Sequence, residues 1–342
     1  MSDEAAFAIA AYAKSHVGVV RAGNEDNFLV LNLSTADTWT PDTVHGQPAA
    51  NLTTFPQSHY GSLIAVTDGM GGALAGEVAS RLAVESVRDR MLELQASPTY
   101  SRLPFHERLR LAIELANLYV YQMSLKRPDC AGMGATFTAV GLYGSAAYFG
   151  QVGDSRAYLV RNGEVKQITR DQSLVGQLVE AGHITEEEAE RHTYKNVILQ
   201  ALGAAPQINV VIDRVPLRDL DILVLCSDGL SNKIRNEEIR ERVEAAPSLK
   251  DACDVLVDLA NQRGGEDNIT VLIAQVTGGK LKPAEAVDPN ATAPINAANR
   301  SSDRWGAETI PRDPSLPREI DVNLLDDEEE TIPPTEKLDD TL

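Results

Sequence analysis

Three apolar runs in this chain end in an aspartate followed at once by a small residue: Ile64-Ala65-Val66-Thr67-Asp68-Gly69, Phe149-Gly150-Gln151-Val152-Gly153-Asp154-Ser155 and Leu223-Val224-Leu225-Cys226-Ser227-Asp228-Gly229. Another aspartate, Asp267, instead opens a run, in Gly265-Glu266-Asp267-Asn268-Ile269-Thr270. Taken alone, an Asp-Gly pair at a strand end is a turn. Several such ends side by side would crowd their carboxylates, and buried like charges are tolerated only with compensating cations. Carboxylates, backbone carbonyls and water are hard oxygen donors, suited to Mg2+ or Mn2+ rather than Zn2+. Two such cations sharing a carboxylate lower the pKa of a bridging water and clamp the oxygens of an in-line displacement at phosphorus.

Chemistry of that kind needs a group to hold the phosphate. Arg21, just ahead of Asn24-Glu25-Asp26, offers the planar, bidentate donor fork that matches phosphate oxygens. Other routes fail on spacing. Cys226 lacks the arginine of a cysteine-phosphatase loop, since Asn232 stands at that position. The glycines from Gly71 to Gly76 resemble a P-loop only until Glu77, which occupies the place of the phosphate-binding lysine. Ser155 and Ser227 are not in a GxSxG elbow.

The elements that must position these groups are short. β-branched runs bounded by Gly and Asp recur at 28–33, 63–67, 136–142, 146–152, 157–160, 165–168, 208–215, 222–226 and 269–276, and read as strands. Asn162-Gly163 between two of them is a type I′ hairpin signal and predicts an antiparallel pair. Helical periodicity predicts long amphipathic helices over 75–94 and 105–123, and shorter ones over 174–181, 186–191, 237–243 and 249–261. Strands in adjacent runs, with helices inserted in pairs, favour an α+β domain with largely antiparallel sheet.

The 342 residues suffice for one large domain and an appendage. Residues 34–61, rich in Thr, Pro, Asn and Gln without apolar periodicity, read as a surface loop inserted between core strands. From residue 277 to 342 the chain turns to Pro, Ala, Asn and acidic residues, and reads as a disordered acidic tail after a catalytic domain spanning 1–276. The formal charge of -19 argues against nucleic acid as a partner and suits cations or basic peptides. Neither a signal peptide nor a membrane-spanning run is visible, so a cytoplasmic protein with no membrane partner is expected. The three cysteines, Cys130, Cys226 and Cys253, are unevenly spaced and read as reduced and structural.

The motifs in order resemble the metal-dependent PPM, or PP2C, family of serine/threonine phosphatases in its bacterial form. Arg21-Ala22-Gly23-Asn24-Glu25-Asp26 is similar to the opening RxxNED motif, and Asp68-Gly69-Met70-Gly71-Gly72 to DGMGG. Val152-Gly153-Asp154-Ser155-Arg156 is similar to VGDSR, Ser227-Asp228-Gly229-Leu230 to SDGL, and the 265–270 segment to GxDNIT. The resemblance covers 13–276 and implies an α-β-β-α sandwich of two largely antiparallel sheets flanked by helices. It implies that Asp68 bridges two Mg2+ or Mn2+ ions, that the Gly69 carbonyl and, through water, Glu25 serve one of them, and that Asp228 and Asp267 hold the other. Asp26 and Asn268 would support the metal site from behind, and Asp154 with Asp228 would form a weaker third site. Arg21 would take the substrate phosphate.

Departures from the pattern concern the surroundings. Met70 stands where animal relatives often carry a histidine proposed as general acid, leaving the proton to a metal-associated water. Gln172 and the His192-Thr193-Tyr194-Lys195-Asn196 segment differ from the usual residues in or beside a flap expected over 174–203, with His192 near the expected entrance. The implied substrates are phosphorylated proteins, with a serine/threonine kinase and its targets as partners, and the chain is expected to be a monomer. A catalytically inactive binding module would have lost metal carboxylates, and here Asp68, Asp228 and Asp267 are all present. A phosphatase of small phosphorylated metabolites is the other alternative. The tail carries Glu-Thr-Ile-Pro twice, at 308–311 and 330–333, which suggests a docking segment with Thr309 and Thr331 as phosphate acceptors.

Overall fold

Successive side chains along a strand point to opposite faces, and here the central strands bury both. Phe28 and Val30 enter one core cluster while Leu29 and Leu31 enter another; Leu272 and Ala274 face one way, Val271 and Ile273 the other. That is why these segments read as continuous apolar runs. The computed structural model describes residues 7–42, 50–279, 281–284 and 307–312.

In chain order the strands are β1 (Ala8–His16), β2 (Asp26–Asn32), β3 (Thr38–Trp39), β4 (Thr54–Pro56), β5 (Ser62–Met70), β6 (Gly134–Ala135), β7 (Phe137–Tyr143), β8 (Ala146–Val152), β9 (Arg156–Arg161), β10 (Glu164–Gln167), β11 (Val211–Pro216), β12 (Ile222–Cys226), β13 (Ile269–Thr277) and β14 (Glu308–Thr309). The helices are α1 (Ala50–Thr53), α2 (Ala73–Ala96), α3 (Phe105–Lys126), α4 (Leu174–Glu180), α5 (Glu186–Glu190), α6 (Asp228–Ser231), α7 (Asn236–Ala245) and α8 (Leu249–Gln262).

One sheet has the order β10-β9-β12-β13-β1-β4, and the larger runs β14-β11-β8-β7-β5-β2-β3, with β6 paired to β5. The pairings are antiparallel. Asn162 and Gly163 both take positive φ, 53° and 74°, at the β9–β10 hairpin, as the turn signal requires. Helices α2 and α3 pack their apolar faces on the larger sheet, a second core fills the space between the sheets, and α7 and α8 cover the smaller sheet. The result is an α-β-β-α sandwich. Among the described residues no helix is long and apolar enough to cross a membrane.

Two sequence expectations need correction. The 34–61 segment is not only a surface loop: it supplies β3, α1 and β4 and buries Trp39, Leu52 and Phe55. Trp39 lies edge-on to Tyr12 and Phe28 at 5.6 and 5.2 Å between ring centres. Its apolar residues enter the core singly, so no periodicity announces them; residues 43–49 lie outside the described ones.

Contact with the fold also does not stop at Val276. β13 runs to Thr277, Leu281 packs on the inter-sheet core, and β14 adds a strand to the edge of the larger sheet beside β11. Acidic and proline-rich composition did not prevent this, because a two-residue strand needs only backbone pairing and one apolar anchor, Ile310. The rest of 277–342, Thr331 included, lies outside the described residues.

Candidate metal centre

The carboxylates meet because of strand direction. β5 and β8 run the same way in the larger sheet, each separated from β7 by one antiparallel pairing; Asp68 lies near the end of β5 and Asp154 just past the end of β8. β2 runs opposite to β5 and starts with Asp26, directly across from Asp68. In the facing sheet β12 ends just before Asp228, which opens α6, and its antiparallel partner β13 starts just after Asp267. Strand ends that carry Asp68, Asp154 and Asp228 thereby gather with strand beginnings that carry Asp26 and Asp267.

Electrostatics record the crowding. Burial pushes the Asp26 carboxyl up to about 7, against hydrogen bonding from Ser227 and Thr270 and with help from the charges of Asp228 and Asp267. Asp68 is held well above the usual carboxylate range by desolvation and by Asp26, Asp228, Asp154 and Asp267. Burial also raises Asp154 to about 7, with Asp228 and Asp171 adding to it, and raises Asp228, with Asp267 adding to it. Glu25 is raised by burial, partly offset by Arg21.

Among the described residues no three His, Cys, Asp or Glu side chains close tightly enough on one point to hold a cation by themselves. The donors still fit a hard divalent ion. One oxygen each of Asp26, Asp154 and Asp228 is buried without a hydrogen-bond partner, and such orphaned anionic oxygens require compensation.

The backbone around them is tightly tied. Asn268 accepts from the Glu25 N–H at 2.8 Å and donates to the carbonyls of Val17 and Gly23 at 2.8 and 2.9 Å, so one buried amide holds the 17–25 turn against the start of β13. Gly69 N–H donates to Glu25 O at 3.1 Å. A Cβ on Gly69 would lie 2.0 Å from Gly76 O, and one on Gly76 would lie 1.8 Å from Glu25 Oε2. Both glycines permit the first turn of α2 to approach Glu25. Arg21, half exposed, reaches Asp267 with Nη2 to Oδ2 at 2.9 Å.

Of the sequence candidates, Arg21, Glu25, Asp26, Asp68, Gly69, Asp154, Asp228, Asp267 and Asn268 thus gather at one end of the sandwich. His192 does not show such a link: it accepts from the Tyr194 N–H at 3.2 Å and lines a shallow flap hollow with Thr185, Glu188 and Arg191. The flap region holds α4 and α5 and is tied down where Ala135 and Leu202 exchange backbone hydrogen bonds of 3.0 and 2.8 Å.

Sequence reasoning missed a hydroxyl network behind Asp68. Thr136 Oγ1 accepts the Asp68 N–H at 2.9 Å and lies 2.7 Å from Ser155 Oγ, while Ser227 Oγ donates to Asp26 at 2.7 Å. Ser155 and Ser227 adjoin the aspartates in the quoted motifs, which was the available signal. Gln172, a departure from the family pattern, accepts the Gly153 N–H at 2.9 Å, next to Asp154, and its carbonyl accepts from Leu199 of the flap at 2.8 Å.

Known proteins share this arrangement of chain. The family model described as protein phosphatase 2C matches residues 45–269. A serine/threonine phosphatase stp of Listeria welshimeri is 38% identical over 213 residues, 62% of this chain and 84% of that one. The crystal structure of the Mycobacterium tuberculosis serine/threonine phosphatase PstP/Ppp superimposes with a TM-score of 0.63 at 31% identity, over 79% of this chain and 100% of that one. The catalytic domain of PstP in complex with two manganese ions gives a TM-score of 0.62 at 31% identity, over 80% of this chain and 100% of that one.

Proposed function

Since this chain belongs to the protein phosphatase 2C family, we propose that the carboxylates gathered around Asp68 are the centre at which it removes phosphate from serine and threonine residues of proteins. It is a metal-dependent serine/threonine protein phosphatase. The observation that carries the residue assignment is the set of buried, partnerless oxygens of Asp26, Asp154 and Asp228 beside a strongly raised Asp68.

In this reading Asp68, Asp228 and Asp267 would hold two Mg2+ or Mn2+ ions, with the Gly69 carbonyl and, through water, Glu25 serving one of them, Asp26 supporting from behind, and Asp154 with Asp228 offering a weaker third place. Bound ions supply Lewis-acid charge and an activated water for in-line attack at phosphorus. Arg21 holds the phosphate oxygens through its guanidinium fork, and its exposure leaves it open to a substrate. Asp267, to which it is bonded, fixes its direction. Asn268 and the Thr136–Ser155 pair keep the backbones of Glu25 and Asp68 in place. Met70 is no proton donor, so the proton for the leaving alkoxide would have to come from water. The substrates are proteins phosphorylated by a serine/threonine kinase.

The test is phosphate release from a phosphothreonine peptide with Mn2+ or Mg2+, with excess chelator, and in parallel from sugar phosphates. Release from the peptide that needs the cation is expected. Full activity in chelator overturns the metal reading, and a preference for sugar phosphates overturns the protein substrate.

A further inference from the structure

The edge of the larger sheet is closed by the chain itself. Glu308 and Thr309 pair with Arg214 and Asp213 of β11. The Ile310 N–H donates to Ile212 O at 2.7 Å, Arg110 Nη2 donates to Ile310 O at 2.8 Å, and Arg312 reaches Glu114 at 2.8 Å. Ile310 packs on the helix-side core. At the middle of this small latch the Thr309 hydroxyl donates to a carboxylate oxygen of Asp213. Asp213 is buried, 6% exposed, whereas Thr309 is exposed.

That hydrogen bond has a direction that matters. A buried carboxylate needs donors, and Thr309 is one of them; Lys166 and Arg170 are the cations whose charge reaches Asp213. A phosphate on Thr309 Oγ1 removes the donor and brings about two negative charges to the same spot. The added dianion meets the Asp213 carboxylate at contact distance. The latch is a two-residue strand at a sheet edge, and such elements open locally far more easily than a domain unfolds.

We propose that Thr309 is a phosphorylation site and that its phosphorylation releases residues 307–312 from β11. In the step, Thr309 Oγ1 attacks the terminal phosphorus of a nucleoside triphosphate held by a serine/threonine kinase. The Oγ1–P bond forms, the bond to the bridging oxygen breaks, the nucleoside diphosphate leaves with the electron pair, and the hydroxyl proton passes to the kinase's base. The kinase acts on the transiently open segment, and the phosphate then prevents its return to Asp213, a population shift rather than a forced opening. Removal of the phosphate, by this chain's own class of activity, restores the latch. The same tetrapeptide at 330–333 is followed by Pro334 where the first copy has Arg312, so the ion pair to Glu114 singles out Thr309 rather than Thr331.

The experiment uses the full chain with phosphothreonine installed at position 309 during translation and divalent cation withheld, so that the phosphate survives whatever the metal site does. Amide hydrogen exchange is read at Ile310. Phosphate at 309 should speed that exchange at least about tenfold, phosphate at 331 alone should not, and Asp213→Asn should return the 309-phosphorylated chain to within about threefold of the unmodified rate. Unchanged exchange at Ile310 in the phosphorylated chain, or no rescue by Asp213→Asn, overturns the latch. In parallel, the Asp68→Asn chain recovered from its native cells should carry phosphate on Thr309 by mass spectrometry. Phosphate on Thr331 alone, or none, overturns the assignment of the site.

Discussion

Asp26 and Asp68 are direct cross-strand partners, the first residue of the pairing between β2 and β5. Like charges directly opposite each other in a sheet destabilise it, and burial makes this pair worse than an exposed one. The fold therefore keeps an electrostatic conflict at the place proposed for its chemistry, and the two sides of that conflict can be measured separately.

Substituting Asp68→Asn should separate stability from activity. The amide relieves repulsion with Asp26, Asp154, Asp228 and Asp267, so the cation-free protein should melt at a higher temperature. Turnover on a phosphothreonine peptide should fall by at least about a thousandfold, or about 4 kcal/mol of barrier. Thermal melts and steady-state rates decide it; a variant with near wild-type turnover places the chemistry elsewhere.

The raised carboxyls also predict how pH and cation interact. Asp26 and Asp154 titrate near 7 in the fold, above the ordinary aspartate value of 3.8, so between those values the folded state binds more protons than the unfolded one. Cation-free stability from these groups is present at low pH and is lost as pH rises toward and through 7. In the proposed site, protons and cations would compete for the same oxygens. The increase in melting temperature caused by Mn2+ should accordingly be larger at about pH 8 than at about pH 6. Equal increments at both would remove the assignment of these carboxylates to the cation site.

Gly76→Ala is a change that helix propensity favours and the site forbids. Alanine gains up to about 1 kcal/mol in a helix interior, but its Cβ would stand 1.8 Å from Glu25 Oε2. The flexible end of Glu25 can swing aside, so the expected result is a melting temperature near wild type with cation affinity weakened about tenfold or more. Calorimetric titration with Mn2+ reads the affinity, and unchanged binding means Glu25 takes no part in it.

Much of this site was legible because each aspartate ends or begins an apolar run, and antiparallel topology then brings ends and beginnings together. The helices α2 and α3 were equally plain from their periodicity. β1 was not foreseen, because Ala8, Ala10, Ala11 and Ala13 give no β-propensity signal; its place is fixed by pairing with β13, far away in sequence. Trp39, Leu52 and Phe55 escaped for a related reason, each filling the core alone. Thr136 carries no mark at all, since a threonine beside a strand is ordinary until Asp68 and Ser155 are next to it.

Arg21→Ala should act mainly on substrate binding. The guanidinium is half exposed and bonded to Asp267, so its loss leaves the buried carboxylates where they are. KM for the phosphopeptide should rise about ten- to a hundredfold with kcat changed much less. The opposite split, kcat falling with KM unchanged, would falsify the role of Arg21 as the phosphate holder and make it a support for Asp267 instead.

The long ladder between β1 and β13 joins Ala8 with Thr277 and His16 with Ile269, and it has a consequence for the life of the protein before it is finished. A chain emerging from the ribosome exposes β1, Arg21 and Glu25 early, but Asp267, Asn268 and β13 come only after almost all of the domain has been made. Until then β1 lacks its neighbour and the 17–25 turn lacks the amide that holds it. A nascent chain should therefore be inert toward phosphoproteins if the proposed site is the one that acts. Non-local pairing of this kind also closes slowly, so the onset of activity should trail completion of synthesis.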